Sequence, residues 1–572
     1  MDAFAEYARW LENVKNEALL EDLRSIEGND EEIRGRFHEH LSFGTAGMRG
    51  VLQAGSNRMN IYTVGRATQG LADYINEVYG GGAVAVSYDS RIMSEEFAHE
   101  TASILAANGV KAYIYSRLMP VPMLSFAVRE LKCQAGVMIT ASHNPSQYNG
   151  YKVYGADGCQ LTDDDADAVL KRIQNHDYFS GINDMDFEKA VSEGKIEFIA
   201  KKVCEAYYEA LMGCRINPDI PFKKHNVSVV YTPLNGAGNE PVRRVLEMCG
   251  YNKVTVVPEQ ENPDGNFPTC PYPNPETAEA RRLGLELSAK VNPDLFIATD
   301  PDADRVGVAF REKDGSYRSL TGNEAGIIML EYILSGLTEN GRLPEGAVVC
   351  RSIVSSSMAD EIAAHYGAEM RTVLTGFKYI GEQILLLEQA GEENRFVFGF
   401  EESCGYLGGS FVRDKDAVYA SMILCELTSY YKSKGTTPLE VLDSLYDKYG
   451  YYRHRVDNVE FPGADGVDNM KALTASLRKE PLTEIAGFSV VETEDIMKHE
   501  HTLPDGTVKP IDLPTADVLI YTLENGAKVI VRPSGTEPKM KLYLSAKEDS
   551  AEKSDALVDV LNDGIKSATG LK

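Results

Sequence analysis

The chain has 572 residues, of which 43% are hydrophobic and 25% are charged, which is typical of a globular protein with several domains. The formal net charge of −28 argues against nucleic acids and anionic membranes as partners, because such a surface repels polyanions. Nine scattered cysteines without a Cys-x-x-Cys pair predict reduced thiols in a cytoplasmic protein. No stretch approaches the roughly 18 apolar residues of a membrane span. The first 24 residues predict one acidic amphipathic helix and no signal peptide.

One theme of strand, helix, strand, helix and strand occurs three times along the chain. The copies end in the polar loops 140–145, 300–305 and 399–405. The predicted strands are 83–88, 111–115, 137–140, 227–231, 254–257, 295–299, 347–350, 371–374 and 396–398, and the predicted helices include 95–108, 240–248 and 358–365. Strands that alternate with helices predict largely parallel sheets built from βαβ units. Three such units predict three similar domains.

The last part of the chain has a different pattern. Asn525-Gly526 separates the apolar runs 518–523 and 528–532, which is typical of a β-hairpin. A strand near 542–544 and a helix at 552–565 follow. The predicted fold class is therefore α/β, with three similar α/β domains of mixed, largely parallel sheets and a smaller C-terminal α+β domain. We place the domains at 1–205, 206–325, 326–445 and 446–572, and we interpret the proline-rich segment 262–276 as a loop within the second.

Ser142 follows the apolar and β-branched run 137–140 and precedes the turn Asn144-Pro145. The run predicts a buried strand, so Ser142 is expected at a strand's C-terminal edge, where open α/β sheets bind ligands. A serine beside His143 at that position is a candidate carrier of a phosphoryl group. A well-capped turn without chemistry explains the segment equally well when it is considered alone.

The sequence Asp300-Pro-Asp302-Ala-Asp304-Arg305 carries three carboxylates at alternate positions after a predicted strand. An EF-hand loop requires Gly at position six and Glu at position twelve, and the chain has Arg305 and Arg311 there, so that interpretation fails. Three carboxylates leave ligand positions open for a phosphate oxygen, which favours Mg²⁺. The alternative is a solvated acidic turn, although the charge repulsion of adjacent carboxylates destabilises such a turn.

Three further segments carry candidate binding groups. Arg532-Pro-Ser-Gly-Thr536 offers a guanidinium and several donors to one phosphate, although it is also a plausible simple turn. Glu401-Glu-Ser403 offers acceptors and a hydroxyl suited to sugar hydroxyls, or it is an exposed acidic loop. The glycine-rich segment 42–50 carries Arg49.

Together these motifs, with Thr375-Gly-Phe-Lys378, closely resemble the α-D-phosphohexomutase family of phosphoglucomutases and phosphomannomutases. The resemblance covers essentially the whole chain, with the motifs in the family's order. It implies three similar α/β domains and a smaller fourth domain around a central cleft, in agreement with the repeated theme. The four domains would carry, in order, the phosphoserine, the metal, the sugar ligands and a phosphate site.

The resemblance also implies a role for each matching residue. Ser142 would carry the phosphoryl group, and Lys152 would act in proton transfer. The implied catalytic residues are Ser142, His143, Lys152 and Arg49, and the implied ligands of one Mg²⁺ per subunit are Ser142, Asp300, Asp302 and Asp304. The implied substrate contacts are Arg305, Thr375, Gly376, Lys378, Glu401, Ser403, Lys415, Arg532, Ser534, Gly535 and Thr536.

The activity implied is the reversible interconversion of glucose 1-phosphate and glucose 6-phosphate. Glucose 1,6-bisphosphate would be both the intermediate and the activator. The loop 399–406 is most similar to the glucose-preferring branch that includes phosphopentomutases, so mannose and pentose phosphates are the next candidate substrates. A serine-dependent metal phosphatase and a non-catalytic sugar-phosphate binder are the alternatives from other classes. We expect small sugar phosphates as partners of a monomer or homodimer.

Overall fold

The computed structural model describes residues 1–44, 47–218, 220, 227–462, 465–534 and 539–571. The chain divides into two compact units. The first contains 1–350 and 376–438, and the second contains 351–375 and 439–572. Within the described part of the chain, no helix is long and apolar enough to cross a membrane.

The N-terminal segment forms three helices, α1 Ala3–Asn13, α2 Glu17–Ser25 and α3 Asp30–Phe37. The prediction of one continuous helix through residue 24 was wrong. Val14 is extended, and the side chain of Asn16 accepts a hydrogen bond from the backbone N–H of Leu19, which starts a new helix. The apolar faces of these helices enclose the buried Trp10 in a cluster separate from the sheet core.

The first sheet of the first unit is mixed. Its strands are β1 Gly47–Val51, β2 Ala83–Tyr88, β3 Lys111–Ile114, β4 Ala135–Ile139, β5 Tyr148–Gly155 and β6 Ile196–Phe198, in the order β1-β5-β4-β2-β3-β6. The helices of this region are α4 Ile61–Tyr79, α5 Ser94–Ala107, α6 Val121–Glu130, α7 Asp163–Ile173, α8 Phe187–Ser192 and α9 Lys201–Gly213. Strands β2 and β4 are parallel, so their C-terminal ends lie at one edge of the sheet. Strand β5 runs antiparallel to both β4 and β1.

The second sheet repeats this arrangement. Its strands are β7 Ser228–Thr232, β8 Lys253–Val256, β9 Leu295–Thr299, β10 Val306–Arg311 and β11 Tyr317–Ser319, in the order β11-β10-β9-β7-β8. The helices are α10 Asn239–Met248, α11 Pro258–Glu261 and α12 Ala278–Val291. Strands β7, β8 and β9 are parallel, whereas β10 and β11 are antiparallel. The segment 262–276 is a loop, as its prolines predict.

The third region again alternates strands and helices. Its elements are α13 Gly322–Glu339, β12 Val348–Ser352, α14 Met358–His365, β13 Glu369–Val373, α15 Lys378–Gln389, β14 Phe396–Glu401, β15 Gly405–Leu407, α16 Ala417–Ser433 and α17 Pro438–Tyr449. Helices α13 and α16 are buried over most of their length and belong to the core of the first unit. Strands β14 and β15 form an antiparallel hairpin, and the loop 401–405 connects them.

Besides α14, β13 and most of α17, the second unit contains an antiparallel sheet with two further helices. The strands of this sheet region are β16 Tyr451–Glu460, β17 Glu484–Ile485, β18 Phe488–Asp495, β19 Glu500–Thr502, β20 Val508–Pro510, β21 Leu519–Leu523, β22 Lys528–Pro533 and β23 Lys539–Glu548, and the helices are α18 Gly466–Lys479 and α19 Ala551–Thr569. The order is β16-β23-β22-β21-β18-β19-β20, and β17 pairs with β18. Strands β21 and β22 form the hairpin predicted at Asn525-Gly526. The predicted fold class of mixed α/β sheets with a C-terminal α+β region is confirmed.

Candidate active site

Two strand-end loops of the first unit contact each other. We call residues 140–145, which follow β4, the serine loop, and residues 300–305, which follow β9, the metal loop. The hydroxyl of Ser142 donates a hydrogen bond of 2.9 Å to Oδ2 of Asp300. Two motifs that are 158 positions apart in sequence therefore share one site.

Ser142 has an unusual backbone conformation for a residue with a side chain. Its φ is +52°, in the left-handed region, and its side chain is buried. The Ser142 N–H donates to Oγ1 of Thr140 at 2.8 Å. The ring nitrogen Nδ1 of His143 lies 3.2 Å from the Ser142 hydroxyl. Burial, with Arg305 adding to the effect, lowers the pKa of His143 well below its usual value, so its ring is neutral at pH 7.

The metal loop turns so that backbone N–H groups at its end reach the carboxylate of Asp300. Ala303 has a φ of +47°, and Oδ1 of Asp300 accepts hydrogen bonds from the N–H groups of Asp304 at 3.1 Å and Arg305 at 3.0 Å. Burial and the nearby charges of Asp302 and Asp304 raise the pKa of Asp300 well above its usual value. Three carboxylates held this close out of water are destabilised unless a cation compensates their charge.

The residues fit a divalent metal ion. Asp300, Asp302 and Asp304 are buried, and each offers an oxygen within 4.8 Å of the others. Among the described residues, Oδ1 of Asp302 and Oδ1 of Asp304 are buried without any hydrogen-bond partner. Buried acceptors left unsatisfied in this way are expected to have a missing ligand. Hard carboxylate oxygens are suited to Mg²⁺.

Two lysines balance part of this charge. Nζ of Lys152, in β5, lies 2.8 Å from Oδ2 of Asp302 and 3.8 Å from Oδ2 of Asp304, and Nζ of Lys415 lies 3.1 Å from Oδ2 of Asp304. Burial alone would lower the pKa of Lys152, but Asp302 and Asp304 outweigh it, so this pKa is raised and Nζ is protonated. Burial would raise the pKa of Asp304, but Lys415, Lys152 and Arg305 hold it below its usual value.

The predicted sugar ligands lie next to the metal loop. Nη1 of Arg305 donates to the carbonyl of Ser403 at 3.0 Å, and Oε1 of Glu401 accepts from the N–H of Gly376 at 2.6 Å. Burial raises the pKa of Glu401, although the Lys415 charge opposes this. The Glu401 carboxylate and the Ser403 backbone are thus held at fixed positions beside the charged cluster.

The other residues predicted to be catalytic or to bind substrate have separate contacts of their own. Arg49 is exposed, and its Nη1 lies 3.5 Å from Oδ1 of Asn144 in the serine loop. Lys378 pairs with Asp163 at 2.6 Å. Thr375, Arg532 and Ser534 belong to the second unit, where Arg532 pairs in register with Lys541 and the Ser534 N–H donates to the Lys539 carbonyl at 2.7 Å. Gly535 and Thr536 lie outside the described residues.

Sequence reasoning missed several residues of the site. Asp89 and Arg91 follow β2, and Asp89 accepts a hydrogen bond of 2.6 Å from the Thr140 hydroxyl. Asp414 accepts hydrogen bonds from Nζ of Lys415 and from the hydroxyl of Tyr154, both at 2.9 Å. Asp89-Ser-Arg91 stands directly after a buried strand, which is the same positional signal that identified Ser142.

Four family profiles match the chain in succession. They are described as phosphoglucomutase/phosphomannomutase alpha/beta/alpha domain I at residues 40–179, domain II at 205–315, domain III at 321–449, and the C-terminal domain at 463–562. Together the matches cover well over half of the chain.

Curated relatives and solved structures agree with these profiles. Phosphoglucomutase of Staphylococcus saprophyticus is 35% identical over 546 residues, which are 95% of this chain and 97% of that protein. Phosphoglucomutase of Staphylococcus haemolyticus is 36% identical, over 90% of this chain and 92% of that protein. The fold is similar to a phosphoglucomutase/phosphomannomutase family protein of Burkholderia thailandensis (TM-score 0.65, 19% identity, 92% and 97% coverage). It is also similar to the open form of parafusin from Paramecium (TM-score 0.67, 18% identity, 92% and 94% coverage).

Proposed function

This chain belongs to the phosphoglucomutase/phosphomannomutase family and is an isomerase of the phosphoglucomutase type, and from that premise we propose the residues and the reaction path that it uses. Its reaction is the interconversion of glucose 1-phosphate and glucose 6-phosphate. Phospho-Ser142 transfers its phosphoryl group to the free hydroxyl of the bound monophosphate, which gives enzyme-bound glucose 1,6-bisphosphate. The bisphosphate turns round and returns its other phosphoryl group to Ser142.

The observation that carries this proposal is the contact between the Ser142 hydroxyl and Asp300 inside a group of three buried carboxylates. Asp300, Asp302 and Asp304 are the proposed ligands of one Mg²⁺ per subunit, together with an oxygen of Ser142 or of its phosphate. A bound Mg²⁺ would neutralise charge on the transferring phosphoryl group. A serine placed there is suited to carrying a phosphoryl group, because phosphate monoesters are among the esters slowest to hydrolyse without a catalyst.

The chain's own groups supply the remaining parts of the reaction. His143 lies in the serine loop next to the Ser142 hydroxyl, and Lys152 pairs with Asp302 of the metal loop. We assign proton transfer to these two residues, with Arg49 nearby through its contact with Asn144. Lys415 and Arg305 add positive charge at the reacting phosphate, which is the main form of catalysis available for phosphoryl transfer.

Substrate binding falls to the remaining predicted residues. Glu401 and Ser403 bind sugar hydroxyls, and Thr375, Gly376 and Lys378 contribute contacts around the sugar. In the second unit, the proposed ligands of the phosphate that is not being transferred are Arg532 and Ser534, with Gly535 and Thr536. The division into functional domains at 1–205, 206–325, 326–445 and 446–572 is part of the same proposal, as is a monomer or homodimer acting in the cytoplasm.

The test is an isomerase assay with Mg²⁺, a trace of glucose 1,6-bisphosphate and, separately, glucose, mannose and ribose 1-phosphates. We expect the highest kcat/KM with glucose 1-phosphate and little inorganic phosphate. Phosphate release as fast as isomerisation would instead indicate a phosphatase. A preference for mannose or ribose 1-phosphate would change the proposed substrate but not the proposed reaction.

Ser142→Ala tests the carrier role, and Ser146→Ala is the matched control, because Ser146 lies four positions further along in the same turn region. We expect Ser142→Ala to lose activity to the limit of detection and Ser146→Ala to keep it. Intact mass after incubation with glucose 1,6-bisphosphate should show one added phosphoryl group in the control and none in Ser142→Ala. Normal isomerisation by Ser142→Ala would contradict the proposed path.

A further inference from the structure

The buried guanidinium of Arg91 donates hydrogen bonds to backbone carbonyls in the serine loop and just after it. Nη1 of Arg91 donates to the carbonyls of Pro145 at 2.9 Å and Tyr148 at 3.0 Å. Its Nη2 donates to the carbonyls of Ser142 and Asn144. The four N–H groups at the end of the guanidinium are thereby matched by four carbonyls of residues 142–148.

Arg91 is itself fixed on its other sides. Its side chain is fully buried, and its Nε lies 3.4 Å from Oδ2 of Asp89. The ring of Phe267 covers one face of the guanidinium, with 5.0 Å between the ring centroid and Cζ. Asp89 also accepts hydrogen bonds from the hydroxyls of Thr140 and Ser94. A guanidinium held by an ion pair and an aromatic face has little freedom to follow a moving loop.

The conformation of Ser142 requires such a support. A left-handed backbone costs an L-residue with a side chain roughly 1–2 kcal/mol relative to the right-handed one. Strained backbone of this kind persists only where the surroundings over-determine it. The Ser142 carbonyl is held by Arg91 and its N–H by Thr140, so both peptide groups flanking the strained residue are fixed. This conformation directs the hydroxyl toward Asp300.

We propose that Arg91 is a positioning residue for phosphoryl transfer. It keeps Ser142 in its left-handed conformation and so keeps Oγ directed at Asp300 of the metal loop. The inference rests on the proposed role of Ser142 as phosphoryl carrier. Arg91 touches the carbonyls of the loop and does not act on the substrate. Its effect is on the geometry of the donor oxygen in each of the two transfer steps.

Lysine cannot replace this arrangement. A guanidinium presents its donors in a planar fork, whereas the three donors of an ammonium group share one nitrogen and cannot reach four carbonyls spread over residues 142–148. A displacement of a reacting group by about 1 Å can cost roughly 100-fold in rate. Arg91→Lys is therefore expected to lower kcat about 100-fold while KM changes less than about threefold, because the substrate contacts remain.

The experiment compares Arg91→Lys with Arg342→Lys. Arg342 also donates to two backbone carbonyls, those of Arg215 and Ile216 at 3.1 Å, but it contacts neither the serine loop nor the aspartates. We measure kcat, KM and the melting temperature. We also measure the rate at which glucose 1,6-bisphosphate phosphorylates Ser142, by intact mass on a quenched time course. Arg91→Lys should slow phosphorylation as much as it lowers kcat, and Arg342→Lys should change neither.

A second variant covers the case in which Arg91→Lys does not fold. If Arg91→Lys does not fold, Phe267→Leu removes the ring over the guanidinium while keeping every hydrogen-bond partner, and it should lower kcat several-fold with KM unchanged. A folded Arg91→Lys protein with kcat and phosphorylation rate within about threefold of the parent would overturn the inference. So would a loss of activity that disappears at a temperature where the variant is fully folded. Activity of Ser142→Ala would instead show that the proposed function had failed.

Discussion

The serine loop and the metal loop both follow a buried strand, and both contain a non-glycine residue in the left-handed region, Ser142 and Ala303. They are stabilised differently. In the metal loop, Asp300 accepts hydrogen bonds from the N–H groups of Asp304 and Arg305, four and five residues further along the chain. In the serine loop, the carbonyls are held by Arg91, 51 positions before Ser142.

This difference separates a loop that is held mainly through backbone N–H and carbonyl groups from a loop that is held by one charged side chain. The metal loop is also held from outside, because the carbonyls of Pro301, Asp302 and Ala303 accept hydrogen bonds from the backbone N–H groups of Ala237, Val121 and Ala417. Its charge depends on Lys152 and Lys415. The serine loop carries little charge, but its shape depends on a residue from another strand end. Substitutions in the two loops should therefore fail in different ways.

The largest effect is expected from Asp302→Asn in the metal loop. The change removes a charged oxygen ligand, and the metal's contribution to transition-state stabilisation is worth several kcal/mol. We expect kcat to fall by about 1000-fold or more and the Mg²⁺ concentration for half-maximal activity to rise, measured by titration of Mg²⁺ after chelation.

Asp314→Asn is the control for Asp302→Asn, because Asp314 lies in an exposed turn of the same region. It should leave both the rate and the Mg²⁺ titration unchanged. An Asp302→Asn protein with an unaltered Mg²⁺ titration would contradict the assignment of Asp302 as a ligand.

A smaller loss is expected from Lys152→Met, which removes the ammonium group beside Asp302 while keeping most of the length of the side chain. Proton transfer by a positioned side chain typically contributes about 100-fold or more. We expect kcat to fall by about 100-fold with the protein still folded, as measured by steady-state kinetics and melting temperature. Lys171→Met, at an exposed position of α7, should leave kcat and the melting temperature unchanged. Parental kcat in Lys152→Met would exclude a role in proton transfer.

Thr140→Val tests the link between the two loops. The Thr140 hydroxyl donates to Asp89 at 2.6 Å, lies 3.2 Å from Oδ2 of Asp302, and accepts from the Ser142 N–H. Valine keeps the shape but leaves a buried carboxylate oxygen and an N–H without this partner, which costs about 1–3 kcal/mol. We expect that loss in the free energy of unfolding, measured by denaturant titration, and a roughly tenfold loss in kcat.

Thr140→Ser restores the hydroxyl and should recover most of both quantities. Equal behaviour of the valine and serine variants would mean that the hydroxyl does not couple the loops.

The smallest effect is expected from Ala303→Gly. Glycine relieves the left-handed strain of the metal loop, but it adds freedom to the unfolded chain and removes a buried methyl group, so these contributions nearly cancel. We expect the free energy of unfolding to change by less than about 1 kcal/mol and kcat to stay within about twofold. Ala303→Val should destabilise the protein markedly, because a β-branched residue is poorly tolerated at positive φ. A large loss of stability in Ala303→Gly would contradict the expected cancellation.

Much of the secondary structure was predictable from local patterns. The strands that end in the serine and metal loops have the predicted apolar character, and α14 begins and ends at the predicted residues. The single N-terminal helix was wrong, because Asn16 caps a second helix within the predicted span. The antiparallel course of β1 and β5, which places Lys152 beside Asp302, left no local signal in the sequence.

The chemistry of the site could be recognised from the amino-acid sequence: a serine after a buried strand, three alternating carboxylates and the family to which their order belongs. These signals are local, because adjacent residues on one strand end or one turn share a side and a charge. The folded chain was needed to show that the Ser142 hydroxyl contacts Asp300, that Lys152 and Lys415 compensate the carboxylates, and that Arg91 supports the serine loop. Those contacts join strand ends that lie tens to hundreds of residues apart, and their positions are set by sheet order and packing.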